Sequence, residues 1–203
     1  FEMCEQLTVS RKDPGDSTEN WVTPDSVFTS VGDGNIISGL HKGFKDLFEL
    51  GWIDKVPRIF GVQSTGSAAI YNAFQAKTEM IAPVAANTLA DSISVDLPRD
   101  GLRALRAATQ TGGIYIAVSD DEITAAIRDL AMIEGIFAEP AGATSYAGMV
   151  KAVELGLVTS DEDHLVLVTG SGLKDISAAM AAVGEPEVIK PTLEDLKVVL
   201  GEG

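Results

Sequence analysis

Two glycine-rich turns carry most of the chemistry that the sequence offers. The first, Val31-Gly32-Asp33-Gly34-Asn35-Ile36, lies between a short β-rich run and a long amphipathic segment. Glycines let backbone N–H groups approach a ligand closely, and the start of a helix adds about half a positive charge there. A phosphate is the natural guest. The alternative is a tight strand-to-helix connection that binds nothing. A dinucleotide fingerprint is disfavoured, because no third glycine completes the G-x-G at the required spacing. The second turn, Thr169-Gly170-Ser171-Gly172, directly follows an apolar run that begins at His164. Its hydroxyls stand where the polar edge of a ligand would be read, although such a sequence is also ordinary turn material.

Other residue groups offer less. Glu139-Pro140-Ala141-Gly142-Ala143 puts a carboxylate at a strand end, as a site residue or as a helix-capping acid, and both readings stay open. His41 falls within an amphipathic helix and His164 opens a buried strand, so both read as structural. Asp120-Asp121-Glu122 and Asp161-Glu162-Asp163 sit at a helix start and in a loop, where acids are expected. Cys4 has no suitable partner and reads as a small core residue. With one cysteine and two histidines, a disulfide framework, a Cys-rich zinc site and a multi-histidine metal site are all disfavoured, and no metal is expected.

The elements that must position these turns follow from periodicity. Strands are expected over residues 26–31, 56–63, 113–118 and 164–168. A helix over residues 36–48 carries the stripe Ile36, Leu40, Phe44, Leu47 and Phe48, and Gly51 ends it. Further helices are expected over residues 66–74, 101–110, 143–155 and 174–182, the last as a core helix. Ser119 with Glu122 forms a capping box that starts another, running to about Ile133. Residues 9–26 read as a surface loop, with Asp13-Pro14-Gly15-Asp16 as its clearest turn. The strands are continuous apolar runs alternating with helices. That pattern belongs to an α/β fold with a mostly parallel sheet covered by helices on both faces. Residues 1–184 form one such domain, and 185–203, with Pro186 and Pro191, a peripheral carboxyl-terminal arm.

Composition narrows the partners. The 203 residues carry 15 Lys and Arg against 30 Asp and Glu, a net charge of −15. Such a surface argues against nucleic acid and anionic membrane. No apolar run approaches the roughly 20 residues needed to span a bilayer. A cytoplasmic setting is expected. The chain opens on Phe1 rather than Met, with Phe1, Cys4 and Leu7 at helical spacing. This reads as the last turns of a helix whose beginning is missing, so a piece of a longer polypeptide is expected.

Taken in order, five motifs resemble the carboxyl-terminal half of the threonine synthases, pyridoxal-phosphate enzymes of the tryptophan synthase β-like fold (fold type II). They are the Gly32-Asp33-Gly34-Asn35 turn with Ile36, Pro57-Arg58-Ile59 leading to Val62-Gln63, and Thr88-Leu89-Ala90-Asp91-Ser92-Ile93. The other two are the stretch from Glu134 through Glu139-Pro140-Ala141 and the closing Thr169-Gly170-Ser171-Gly172-Leu173-Lys174-Asp175. The resemblance runs from Phe1 to about Gly184 and is more specific for fold than for substrate. It implies pyridoxal 5'-phosphate as cofactor, a small amino-acid substrate and a homodimer. It implies that Gly32, Asp33, Gly34, Asn35 and Ile36 cradle the cofactor phosphate. Thr169 would face the pyridine nitrogen, and Glu139 would line the pocket near the ring. The family's reaction turns O-phospho-L-homoserine and water into L-threonine and phosphate, by elimination and rearrangement. A serine/threonine dehydratase or another β-replacement enzyme would use the same turns on another amino acid. A non-catalytic phosphate-ligand binding module would keep the turns alone.

Two departures from the family pattern matter. The phosphate turn is one residue shorter and carries Asp33, whose carboxylate must point away from a phosphate dianion. The family's Schiff-base lysine belongs to a Phe-Lys-Asp sequence upstream of everything here. Phe44-Lys45-Asp46 imitates it inside the helix after the phosphate turn, and Leu173-Lys174-Asp175 is a tail feature. The resemblance therefore puts the catalytic lysine outside this chain and implies that the chain alone does not catalyse.

Overall fold

Four parallel strands form the centre of the protein, whose computed structural model describes residues 1–11, 20–184 and 188–201. The turn expected at Asp13-Pro14-Gly15-Asp16, and Pro186, lie outside the described residues. Helix α1 (Glu2–Arg11) comes first, then β1 (Ser26–Ser30), α2 (Asn35–Glu49), β2 (Arg58–Ser64) and α3 (Ala69–Gln75). Next are α4 (Gly101–Thr111), β3 (Tyr115–Val118), α5 (Asp120–Glu134) and α6 (Pro140–Glu154). Strand β4 (His164–Val166), α7 (Ile176–Val183) and α8 (Leu193–Val199) complete the order, with short 3-10 turns at Asp91–Ile93 and Gly172–Lys174.

The sheet runs β3-β2-β1-β4, all parallel. The chain therefore moves outward from β1 through β2 to β3, then returns to pair β4 on the other side of β1. Val27 stands opposite Ile59 and Leu165, and Phe28 opposite Phe60 and Val166. Alternate residues feed two separate cores. On one face Val27, Ile59 and Tyr115 pack with Ile37, Leu47, Ile70 and Leu105 from α2, α3 and α4. On the other, Phe28, Phe60, Val62 and Ile116 pack with α5, α6 and Ala182. The Phe28 and Phe60 rings stack at 4.5 Å. Burial on both faces is why the strands read as unbroken apolar runs.

Several boundaries differ from the sequence expectation, each for a physical reason. The buried stripe of α2 is Ile37, Phe44 and Leu47 with Leu40 half-covered, while Ile36 and Phe48 face outward. Ile36 was misassigned because it adjoins the turn, where the helix face is set by the cleft rather than by the core. Helix α6 starts at Pro140, before Ala143, since proline suits the first helical position. Strand β4 stops at Val166, where its register with β1 ends opposite Phe28 and the Leu167 N–H makes a last bond to the Phe28 carbonyl at 3.0 Å. Helix α7 is no core helix: Ala182 is its one buried residue, and Ile176, Met180 and Val183 are exposed. The predicted capping box is present, with Ser119 and Glu122 each bonding the other's backbone N–H.

Candidate functional site

Strand order reverses between β1 and β4, and the loops leaving these two strands cannot close over each other there. Open α/β sheets bind ligands at that point. A cleft of about 300 Å³ opens there, lined by Ser30 to Ile37, Ser92, Ile93, Glu139, Ala141, Thr169 and Lys174. Every residue singled out from the sequence (Gly32, Asp33, Gly34, Asn35, Ile36, Thr169 and Glu139) therefore lines one cavity. Lys45 does not: it faces a different groove between α2 and α4.

The first wall is built by the turn after β1. Gly34 adopts φ +96°, a left-handed conformation that glycine takes at no steric cost, and stands as the N-cap of α2 without any side-chain capping bond. No acidic side chain occupies the first turn of α2. The leading N–H groups of that helix thus remain available to an anion. Asp33 does not spoil this, because its carboxylate accepts the Arg99 N–H at 3.1 Å, and its carbonyl accepts the Asp100 N–H at 2.8 Å. The expected orientation away from a phosphate is met by the loop that enters α4.

Buried Gln63 fixes this turn from beneath. Its amide nitrogen donates to the Val31 carbonyl at 3.2 Å, one residue before Gly32. Its amide oxygen accepts the N–H groups of Ile70 and Tyr71 at 3.0 and 2.9 Å, capping α3, which has no cap of its own. The segment carrying Ser92 and Ile93 is held as firmly. Ser67 Oγ donates toward the Ile93 and Val95 carbonyls and accepts the Val95 N–H, and Asp120 accepts from Thr88 Oγ1 and the Leu89 N–H. Gln63, Thr88 and Asp120 stand in the sequence as motif residues or as a helix-start acid, not in these supporting roles, and Ser67 is not marked there at all. The polar side chain of Gln63 inside an apolar strand was the signal available.

The opposite wall joins Glu139 to the turn after β4. Glu139 occupies the N-cap position of α6 but makes no side-chain capping bond, and it is 5% exposed. Its carboxylate instead lines the cleft, which removes the capping alternative. Its N–H donates to the Gly170 carbonyl at 3.0 Å, and Ala138 bridges Ser171. Gly170 leaves room for this carboxylate, since a Cβ would fall 1.9 Å from Glu139 Oε1 and displace it. Lys174 Nζ reaches the same oxygen at 3.3 Å. The sequence reading set Lys174 aside as a tail feature, yet the 3-10 turn Gly172–Lys174 folds its ammonium back into the cleft.

His164 is structural, its ring nitrogens lying 2.8 Å from Ser26 Oγ and from the Thr159 carbonyl. Cys4 is fully buried, and burial pushes its thiol pKa up. Among the described residues no His, Cys, Asp and Glu side chains gather into a metal-binding group, and no helix is long and apolar enough to cross a membrane. The polar groups lining the cleft (helix N–H groups, the hydroxyl residues Ser30, Ser92 and Thr169, the Lys174 ammonium and the carboxylates of Asp33 and Glu139) suit a small polar ligand with a phosphate at the helix start.

A parallel α/β sheet with a cleft where its strand order reverses defines an open α/β ligand-binding fold, and comparison with known proteins gives the family. Residues 2–170 match the model of the pyridoxal-phosphate dependent enzymes, and the chain belongs to that family. Pyridoxal 5'-phosphate is the family's cofactor. The chain is 39% identical over 203 residues to a threonine synthase of Methanocaldococcus jannaschii, covering 100% of this chain and 47% of the relative. It is 35% identical to one of Methanosarcina acetivorans, over 97% of this chain and 46% of that protein. The chain thus spans about half the length of the curated relatives it matches. Among solved structures, a processed threonine deaminase isoform from Solanum lycopersicum superposes with TM-score 0.64 at 23% identity, over 78% of this chain and 43% of that one. A fungal L-serine ammonia-lyase from Rhizomucor miehei gives 0.62 at 21% identity, over 84% and 50%. These likenesses are of fold: the enzymes are fold type II.

Proposed function

We propose that this chain is the cofactor-holding part of a threonine synthase, an enzyme that turns O-phospho-L-homoserine and water into L-threonine and phosphate. The observation that carries the reading is the convergence of the Gly32–Ile36 turn, Thr169 and Glu139 on one cleft. The names of the curated relatives favour this activity over a dehydratase.

When bound, the cofactor supplies an electron sink for bond breaking at the substrate's α-carbon. The leading N–H groups of α2 would hold its phosphate, aided by the helix dipole. Thr169 would offer a hydroxyl to the pyridine nitrogen; being neutral, it would not hold that nitrogen protonated as a carboxylate would. Glu139 would wall the ring side, and Lys174 beside it offsets its charge. Ile36, Ile93 and Ala141 give the cleft apolar surface that limits water around the reacting atoms. The lysine that moves protons at the α-carbon lies, on this reading, in the part of the protein beyond this chain.

The test is Gly34→Asp in the full-length protein. The change adds a carboxylate at the phosphate turn and a Cβ that would fall 2.7 Å from Ala104 Cβ, at a backbone angle side chains rarely adopt. Pyridoxal-phosphate affinity should fall by more than tenfold, about 1.4 kcal/mol. An unchanged titration in a folded variant would remove the turn from phosphate binding.

A further inference from the structure

We propose that the groove between α2 and α4 is a second anion site, built for a multivalent oxyanion of the polyphosphate type. In a chain of net charge −15, four of its 15 lysines and arginines and one of its two histidines line this single groove of about 540 Å³. His41, Lys42 and Lys45 project from one face of α2 at i, i+1 and i+4, and Arg103 and Arg106 from α4 at i and i+3.

The pairing within the groove is unequal. Lys42 bonds Asp46 on its own helix at 2.6 Å, and Arg103 bonds Asp100 at 2.5 Å. Arg106 bonds Glu79 through two nitrogens, each at 2.7 Å. These pairs are solvent-exposed and correspondingly weak. Lys45 and His41 have no acidic partner among the described residues, although Asp46 and Glu49 also line the groove. Burial and then the Lys45 ammonium push the His41 pKa down. Lys45 is thus the groove cation with no acidic partner among the described residues, His41 stands on the same helix face beside it, and Arg103 and Arg106 line the opposite wall. An oxyanion seated there would accept hydrogen bonds from the Lys45 ammonium and from the guanidinium N–H groups that Asp100 and Glu79 leave free, and would favour the charged form of His41. Phosphate-chain chemistry suits the span from one helix to the other better than a single small anion.

The groove is also tied to the cleft. Asp100, the partner of Arg103, donates its N–H to the Asp33 carbonyl, and Ala104 packs against Gly34. A ligand bridging α2 and α4 therefore acts on both elements that shape the phosphate turn.

The experiment titrates the chain with inorganic tripolyphosphate at low salt, following the histidine ring protons and backbone amides by NMR. The expected result is saturable movement of the His41 resonances with an upward shift of its pKa, the His164 resonances staying fixed. Lys45→Gln, an exposed substitution outside the cleft, should weaken binding by about tenfold. A nucleoside triphosphate run in parallel separates sources: equal affinity means that the phosphate chain alone is read, and tighter binding means that the base adds contacts. Unmoved His41 resonances at saturating tripolyphosphate, or binding indifferent to Lys45→Gln, would overturn the site. A moving His41 with a static Gly34 amide would overturn the link to the cleft.

Discussion

Glu139 owes its place in the cleft to the glycine beside it. A methyl group at Gly170 would overlap the Glu139 carboxylate, so Gly170→Ala must push that side chain out of line and away from Lys174. We expect the variant to fold and to lose pyridoxal-phosphate affinity by about tenfold, which a fluorescence titration would measure. Retained affinity would free Glu139 from any role near the ring. Lys174 invites a different check, since it is the lysine that lines the cleft. Its nitrogen is engaged by Glu139, so borohydride reduction of the chain with pyridoxal phosphate should give no stoichiometric adduct at Lys174 or Lys45. A mapped adduct, with phosphate released from O-phosphohomoserine, would place the catalytic lysine inside this chain. Elsewhere, Tyr115 is fully buried with a hydroxyl that finds no hydrogen-bond partner, and burial pushes its pKa strongly up. Tyr115→Phe removes that penalty and should stabilise the chain by about 1 kcal/mol in urea unfolding.

At the scale of elements, one amide links three of them. Gln63→Leu keeps the apolar volume but strands the Val31 carbonyl and the Ile70 and Tyr71 N–H groups in a dry interior. The cost should be about 3 kcal/mol, seen as an earlier urea midpoint. Ion pairs fasten the entry side of the sheet more weakly. A hydrogen bond from Lys55 holds the Asp25 carboxyl below its usual range, and one from Arg11 does the same for Asp163. Depressed carboxylate pKa values give stability that is present above the unfolded value and lost as pH falls through the folded one. The contribution should therefore fade below about pH 4 and be blunted by salt. Hydrogen exchange at β1 and β4, compared at neutral and acidic pH, checks it. Exposure keeps the effect small. Element type was legible in the sequence because apolar runs, capping residues and glycines are local signals. The parallel sheet followed from the same pattern. What was not legible was tertiary: the outward turn of Ile36, the bare face of α7, and Gln63 reaching across to α3. Lys174 was missed because its approach to Glu139 depends on a 3-10 turn after β4, which periodicity does not reveal.

The whole molecule leaves surface of two opposing kinds. β4 is a three-residue edge strand, half-buried and paired only with β1, and Leu173, Ile176, Met180 and Val183 stand exposed on the segment that follows it. Unpaired edges and apolar patches favour association, while a net charge of −15 opposes it. Sedimentation should find smaller species at low salt and larger ones as salt screens the charge. A monomer at every ionic strength would show that this face is not adhesive.

Across these scales the central claim is that the turns after β1 and β4 form one phosphate-ligand cleft at the point where strand order reverses. The most direct measurement compares backbone amide shifts during titration with pyridoxal phosphate and with pyridoxal, which lacks the phosphate. The account predicts that Gly32, Gly34, Asn35 and Ile36 move together with Thr169 and Gly170, over one binding curve, and respond only weakly to pyridoxal. Movement of one turn without the other, or equal response to both compounds, would contradict it.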